Sequence, residues 1–304
     1  MTPPPRESTA IVVVTYNRVA LLEGMLAGLA RLDPAPEAVI VVDNASTDGT
    51  AALLAASTLP GLQVVTSPDN LGGAGGFRAG VSAAFEQGFD RIWLMDDDVV
   101  PAPECLGVLL SYDEDCLMAV REDPRGDLAE YAATRFDLDR PWVIKPKTAS
   151  VVSTFPDRAS MPPTVELENV AFEGFLVRRR VVEEIGLPDD SFFIFYDDCD
   201  YAIRARRAGF RILAVRDAVL VRQLDFDQQH DLSSWKGYYM YRNLFAVHFR
   251  YGANAAVRLK PWLIALVVVL LSPLRGGRAE ARNVTRALRD ARGMKAPPTP
   301  LPRA

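Results

Sequence analysis

The sequence predicts an α/β fold, with a mainly parallel central sheet and helices on both of its faces. Three observations predict it. Short β-branched runs alternate with longer stretches of helical apolar spacing through about the first hundred residues. Polar and glycine-rich clusters stand directly after those runs. A chain of 304 residues with 49% hydrophobic composition can also bury the core that such a sheet requires.

The first strand is read at Ala10–Val14. Leu21, Leu22, Met25, Leu26 and Leu29 come after it at helical spacing, one apolar stripe on one face. Strands at Ala38–Val42, Leu62–Val65 and Arg91–Met95 come next, separated by helical stretches at Ala51–Ala56 and Gly76–Glu86. This βαβαβαβ order implies parallel strands, and such sheets bind ligands beyond the carboxyl ends of their strands. The stretch from Arg121 to Pro163 is rich in Pro, Asp and Arg and reads as an irregular insertion. Order returns at Val165–Arg178. A helix near Arg180–Glu184 stops at Gly186, and another runs from Asp197 to Ala208 with Gly209 as its stop. A strand pair is expected at Arg211–Val215 and Ala218–Arg222, then an aromatic helix from Ser233 to about Tyr251.

The net charge of −5 argues against a nucleic-acid partner, which would draw a basic surplus. The charge is uneven. Tyr251 to Ala304 holds ten Lys and Arg against Glu280 and Asp290, a net +8, which leaves −13 on the rest. Trp262–Leu271 is a ten-residue apolar segment, short of the roughly 20 residues that span a bilayer. Arg275, Arg278, Arg282, Arg286 and Arg289 come next at steps of three and four, on one helical face. Two readings stay open: a buried hairpin with a solvated basic face, or a peripheral contact with anionic membrane. Cys105, Cys116 and Cys199 are widely spaced with no CxxC pair, which reads as reduced thiols in a cytoplasmic protein. The N-terminus lacks the apolar core of a signal peptide.

Four clusters carry the chemistry. Strand one ends in Thr15-Tyr16-Asn17-Arg18 and strand two in Asp43-Asn44-Ala45-Ser46-Thr47-Asp48, so two neighbouring strand ends present polar groups to one crevice. Asp43 suits a nucleoside imide or a ribose hydroxyl; the same run also reads as a turn and helix cap. Strand three leads into Asn70-Leu71-Gly72-Gly73-Ala74-Gly75-Gly76-Phe77-Arg78. A dinucleotide fingerprint would need glycine where Arg78 stands, and would come after the first strand. The glycines instead allow close approach of a diphosphate to a helix N-terminus, with Arg78 as a phosphate contact. Strand four ends in Asp96-Asp97-Asp98, three carboxylates that read either as a solvated acidic turn or as a site whose repulsion a hard divalent cation, Mg²⁺ or Mn²⁺, relieves. The last cluster, Asp197-Asp198-Cys199-Asp200, opens a helix and offers either dipole partners or a general base.

These clusters, in this order, resemble glycosyltransferase family 2 and its GT-A fold, over roughly Ala10 to Arg250. The resemblance implies that Asp96–Asp98 is the family's metal- and donor-holding element, and that Asp198 is the base. Asn70 to Phe77 with the acidic triple, and Tyr238-Tyr239-Met240-Tyr241-Arg242-Asn243, most resemble actinobacterial galactofuranosyltransferases of cell-wall galactan synthesis. Related rhamnosyltransferases share the second motif.

The resemblance implies an inverting transferase for a UDP-sugar, UDP-galactofuranose first, acting on a polyprenyl-diphosphate-linked glycan at the inner face of the cell membrane. Another hexosyl donor, or a non-catalytic scaffold, is the alternative, and a homo-oligomer is left open. Residues 1–232 are expected to form the catalytic domain, with a nucleotide-binding half at about 8–115 and an acceptor-side half at 116–232, and residues 233–304 a basic, helical, membrane-associating appendage.

Thr15, Asn17, Arg18, Asp43, Asn44, Asn70, Gly73, Arg78, Asp96 and Asp97 are expected at the donor. Asp96, Asp98 and His230 are expected at the metal. Asp197, Asp200, Trp235, Tyr238, Tyr239 and Arg242 are expected on the acceptor side. One departure stands out: Arg222 occupies the position where the family often has a metal-binding histidine, and His230 lies eight residues further on. The Q-x-x-R-W motif of processive synthases is absent.

Overall fold

The computed structural model describes residues 7–224, 231–272, 278–294 and 296–297. The four expected strands form as β1 (Thr9–Thr15), β2 (Ala38–Asp43), β3 (Leu62–Thr66) and β4 (Arg91–Asp96). They alternate with α1 (Val19–Leu29), α2 (Thr50–Ala56) and α3 (Gly72–Glu86). β1 pairs in parallel with both β2 and β4, setting Val12 opposite Ile40 on one side and Leu94 on the other. All three strands therefore end together, at Thr15, Asp43 and Asp96.

The second half completes the sheet with β5 (Val99–Pro101), β6 (Cys116–Glu122), β9 (Thr164–Glu166), β10 (Phe175–Arg178) and β11 (Ile212–Arg222). The strand order is β3-β2-β1-β4-β10-β6-β11-β5, with β9 also on β11. β10 is antiparallel to both β4 and β6, and so joins the parallel half to the rest.

Alternation along the strands sorts the core into two layers. Val12, Val14, Ile40 and Val42 pack with Phe77 and Val81 of α3, with α6 (Arg179–Ile185) and with α7 (Asp197–Arg207). Ile11, Val13, Val39 and Val41 pack the other way, against Leu22, Met25 and Leu29 of α1 and against α4 (Cys105–Leu110). Two glycines set how closely α3 approaches: a Cβ on Gly76 would come 2.5 Å from Val14 Cγ1, and one on Gly80 would come 2.2 Å from Val12 Cγ1.

Three expectations are corrected. The strand pair at 211–222 is one strand, β11, because a register shift between Val215 and Val219 lets both halves keep their pairing with β6. The ordered run at 165–178 is two short strands, β9 and β10, with a loop between them that carries Glu173. The stretch at 121–163 is not irregular throughout: β7 (Ala133–Phe136) and β8 (Lys147–Ser150) form an antiparallel ribbon, and α5 (Val151–Thr154) starts with a Ser150–Ser153 capping box.

A third apolar cluster holds the C-terminal helices α8 (Trp235–Tyr251), α9 (Ala255–Leu271) and α10 (Arg278–Ala291) against Phe136, Phe192, Cys199 and Ile203. The apolar 262–271 segment is the C-terminal part of the 17-residue α9, which contains Pro261. Among the described residues no helix is long and apolar enough to cross a membrane. His230 and Arg275 lie outside the described residues.

Candidate active site

The three acids at the end of β4 occupy the crevice between the ends of β1 and β11. Asp97 is buried: its Oδ2 accepts a 2.7 Å hydrogen bond from Thr15 Oγ1 and its Oδ1 a 3.0 Å bond from Arg18 Nη1. Arg18 Nη1 also reaches Asp98 Oδ2 at 3.2 Å. Gln223 fastens the turn from behind, its backbone N–H on the Asp98 carbonyl and its side-chain amide on the Asp97 carbonyl. Burial raises all three carboxyl pKa values, most for Asp96, where Asp98, Glu173 and Asp97 add repulsion. The repulsion expected of the triple is therefore present, only partly offset by Arg18.

Other donor-side residues are engaged with their own loops. Asn17 Oδ1 accepts from Thr47 N, and Asp43 Oδ1 from Ser46 N. Asn44 stitches the end of β2 to the start of α3, accepting from Leu71 N and donating to the Gly72 carbonyl. Asn70 Oδ1 accepts from Gly72 N. Arg78 turns away to the Pro188 carbonyl and to Asp190, 3.6 Å distant. Gly73 is different: a Cβ there would meet nothing within 4 Å, so the first turn of α3 is open at that point.

The second acidic group sits at the N-terminus of α7. Asp198 Oδ1 accepts from Cys199 N at 2.6 Å. Burial pushes the Asp198 carboxyl up to about 6, and Glu173 adds to the rise while Arg121 and Lys147 oppose it. Asp197 is raised further by burial and by Asp198. Asp200 is fully enclosed, and its oxygens receive Arg204 Nε at 2.8 Å, Arg250 Nη1 at 2.8 Å and Tyr251 OH at 2.6 Å. Expected on the acceptor side, it stands in the joint between α7 and α8.

Glu173 connects the two acidic groups. It acts electrostatically on Asp96 and Asp98 on one side and on Asp198 on the other. Its Oε2 accepts from Arg121 Nη1 at 2.7 Å and lies 3.3 Å from Arg222 Nη1. Arg121 in turn is held by Glu130, at 2.6 Å. Arg222, at the histidine position, is thus paired with Glu173 while it also opposes the rise of the Asp98 carboxyl. Nothing in the sequence singles out Glu173 and Arg121, because these partners lie about fifty residues apart in the chain and share no motif.

The approach to Asp198 is unusual backbone. Phe193, Phe195 and Tyr196 have φ of 64°, 67° and 67°, left-handed values that non-glycine residues seldom adopt. The late motif holds them there. Asn243 Nδ2 donates to the carbonyls of Phe192, Ile194 and Phe195 at 2.9, 2.7 and 2.9 Å. Arg242 Nη2 donates to those of Ser191 and Phe192. Tyr239 stacks on Phe193, Tyr238 OH donates to Asp290, and Trp235 is 57% exposed. Of the four residues expected at the acceptor here, Trp235 is open, while Arg242 grips the loop.

Parallel strands ending on a polar crevice, an acidic turn at the end of β4 and a buried acid opening α7 together define a GT-A glycosyltransferase. The family model described as "Glycosyltransferase like family 2" matches residues 4–240, and the chain belongs to that family. It is similar to galactofuranosyltransferase GlfT1 of Mycolicibacterium smegmatis, with 32% identity over 206 residues, 67% of each chain. To that of Mycobacterium tuberculosis the identity is 31% over 227 residues, 73% of this chain and 72% of the other.

Among solved structures, the fold is similar to mannosyltransferase PcManGT of Pyrobaculum calidifontis in complex with GDP-Man and Mn²⁺. The TM-score is 0.54 and the identity 20%, covering 96% of this chain and 76% of that one. It is also similar to GalNAc-T7 with UDP, GalNAc and Mn²⁺, at a TM-score of 0.62 and 12% identity, over 94% and 55% of the two chains.

Proposed function

We propose that this chain transfers galactofuranose from UDP-galactofuranose to a hydroxyl of a polyprenyl-diphosphate-linked oligosaccharide, with inversion at the anomeric carbon. It works in cell-wall polysaccharide synthesis, in the cytoplasm and peripherally on the inner face of the cell membrane. The observation that carries this reading is the shared position of Glu173, within electrostatic range of both the β4 acids and Asp198. That common neighbour supports a single cleft for acids about a hundred residues apart in the chain.

Asp198 takes the proton from the acceptor hydroxyl as that oxygen attacks the anomeric carbon. The bond to the UDP oxygen breaks on the opposite face, which inverts the configuration. A carboxyl held at about 6 is mostly ionised at neutral pH and basic enough to accept the proton. Arg18 and the open first turn of α3 at Gly73 are proposed to meet the diphosphate. Trp235, Tyr238 and Tyr239 frame the acceptor.

Asp96 and Asp98 suit a divalent cation, Mn²⁺ or Mg²⁺. Asp98 Oδ1 is buried with no hydrogen-bond partner, and beyond burial Asp98 and Asp97 raise the Asp96 carboxyl while Asp97 raises that of Asp98. Among the described residues no group of three or more His, Cys, Asp or Glu side chains is arranged as a complete metal site, so phosphate oxygens of the donor would complete the ligand set. When bound, the cation would neutralise charge on the departing diphosphate.

The test is nucleotide release from a panel of UDP- and dTDP-sugars, with and without Mn²⁺. UDP-galactofuranose should be turned over fastest, and only with metal. Preference for dTDP-rhamnose would move the chain to the rhamnosyl branch of the resemblance, and loss of transfer in Asp198→Asn with UDP binding intact would support the base.

A further inference from the structure

The outward face of α9 is apolar where a solvated helix should be polar. Leu259, Trp262, Leu263, Leu266, Val267 and Leu270 are 60, 46, 61, 55, 43 and 66% exposed. Their spacing places them on one face, and the opposite side, where Val257 is buried, packs into the helical cluster through Ala265 and Val268. Among the described residues nothing covers the outward face.

A second apolar tip stands beside it. The loop between β7 and β8 exposes Trp142 at 73% and Ile144 at 72%. It is stapled to the start of α9: Lys260 Nζ donates to the carbonyls of Arg140 and Val143 at 2.7 and 2.8 Å. Asn254 Nδ2 donates to that of Asp139 at 2.7 Å. Loop and helix therefore present one surface.

Exposed cations stand on α10, the helix packed beside α9, with Arg286 over the Tyr238 ring of α8. Arg278, Arg282, Arg286 and Arg289 of α10 all face solvent in whole or part, and Arg292 stands over the Trp262 ring, 5.5 Å from its centroid. Lys145 and Lys147 flank the loop tip. Of the two acids in α10, Glu280 is buried on Tyr241 OH, and Asp290 is shared by Arg286 and Arg289.

We infer that α9 and the Trp142–Ile144 loop insert together into an anionic lipid surface, with the α10 arginines at the headgroups. The inference rests on the proposed peripheral-membrane location and gives it a face and an orientation. Charge complementarity selects lipid over a second copy of this chain, because a symmetric pairing would bring the arginine stripes toward each other. Aromatic rings at the rim suit the headgroup boundary.

The experiment is co-sedimentation of the full chain with phosphatidylglycerol–phosphatidylcholine vesicles and with phosphatidylcholine alone. Binding should favour the anionic vesicles and weaken with salt. Leu263→Ser/Leu266→Ser/Leu270→Ser and, separately, Trp142→Ala/Ile144→Ala should each lower it by about tenfold or more, as lost apolar insertion implies. Arg278→Glu/Arg282→Glu should remove the anionic preference. All three should keep wild-type thermal stability and transfer to a soluble oligosaccharide. Unchanged binding in the two apolar variants overturns the inference. So does a wild-type dimer that becomes monomeric in the α9 variant while vesicles are ignored. Absent vesicle binding with normal transfer to the soluble acceptor sinks this surface alone, whereas vesicle binding without any sugar transfer sinks the transferase reading and leaves the surface standing.

Discussion

The side-chain amide of Asn243 donates a 2.7 Å hydrogen bond to the carbonyl of Ile194, at the centre of the loop that delivers Asp197 and Asp198 to the cleft. Asn243 is fully buried and lies in α8, which otherwise belongs to the C-terminal helices. It satisfies carbonyls that the left-handed residues around it turn inward. Asn243→Ala should lose about 1–3 kcal/mol of stability, since those buried acceptors would be unpaired. It should also lower kcat by about a hundredfold, because the base would be misplaced, while UDP affinity stays near wild type. Isothermal titration with UDP beside steady-state rates separates the two effects.

The pH dependence of transfer should report Asp198. Its carboxyl is raised to about 6, and the base works only when ionised, so kcat/KM should fall with acid below about pH 6. Glu173 contributes to that rise, so Glu173→Gln should move the acid limb to lower pH. A limb that stays in place would mean that the titrating group is not Asp198.

Asp198→Asn should also change stability, with a definite sign. A carboxyl raised by burial destabilises the folded state wherever it is ionised. The amide should therefore increase Tm at pH 7, the gain shrinking as pH falls from about 6 and vanishing below the unfolded value near 4. Thermal melts across that range check it, alongside a loss of transfer of about 10²–10⁴-fold.

Two glycines in α3 should behave oppositely. Gly80→Ala forces a Cβ to 2.2 Å from Val12 Cγ1 and should cost about 1–3 kcal/mol by overpacking. Gly73→Ala meets no atom within 4 Å and should leave Tm unchanged or slightly higher. If the donor diphosphate approaches that turn, the same substitution should weaken UDP binding by about tenfold. Melting curves and UDP titrations of both variants decide the matter.

Asp200→Ala should be the most destabilising of the acidic substitutions. Arg204, Arg250 and Tyr251 converge on this fully buried carboxylate. Removing it leaves Arg250 only Asp189 as an acidic partner and Arg204 only the Ile185 and Leu187 carbonyls, and should cost about 3–5 kcal/mol, read by denaturant titration.

The local sequence determined the parallel half of this protein. The β-branched runs at 10–14, 38–42, 62–65 and 91–95 are strands, and the polar clusters after them stand at the strand ends, because period and turn chemistry act over a few residues. Glycine stops at Gly186 and Gly209 were legible for the same reason, and both adopt positive φ.

The tertiary structure alone decided which residues partner one another. Asp200, Arg78 and Arg242 look like ligand contacts in the sequence, but they are engaged with distant chain segments. Glu173, in no motif, acts electrostatically on both acidic groups, and the strand that follows it, β10, runs antiparallel beside β4. Electrostatic partnership depends on distance through space, and where the chain crosses the sheet sets that distance, not the spacing of letters.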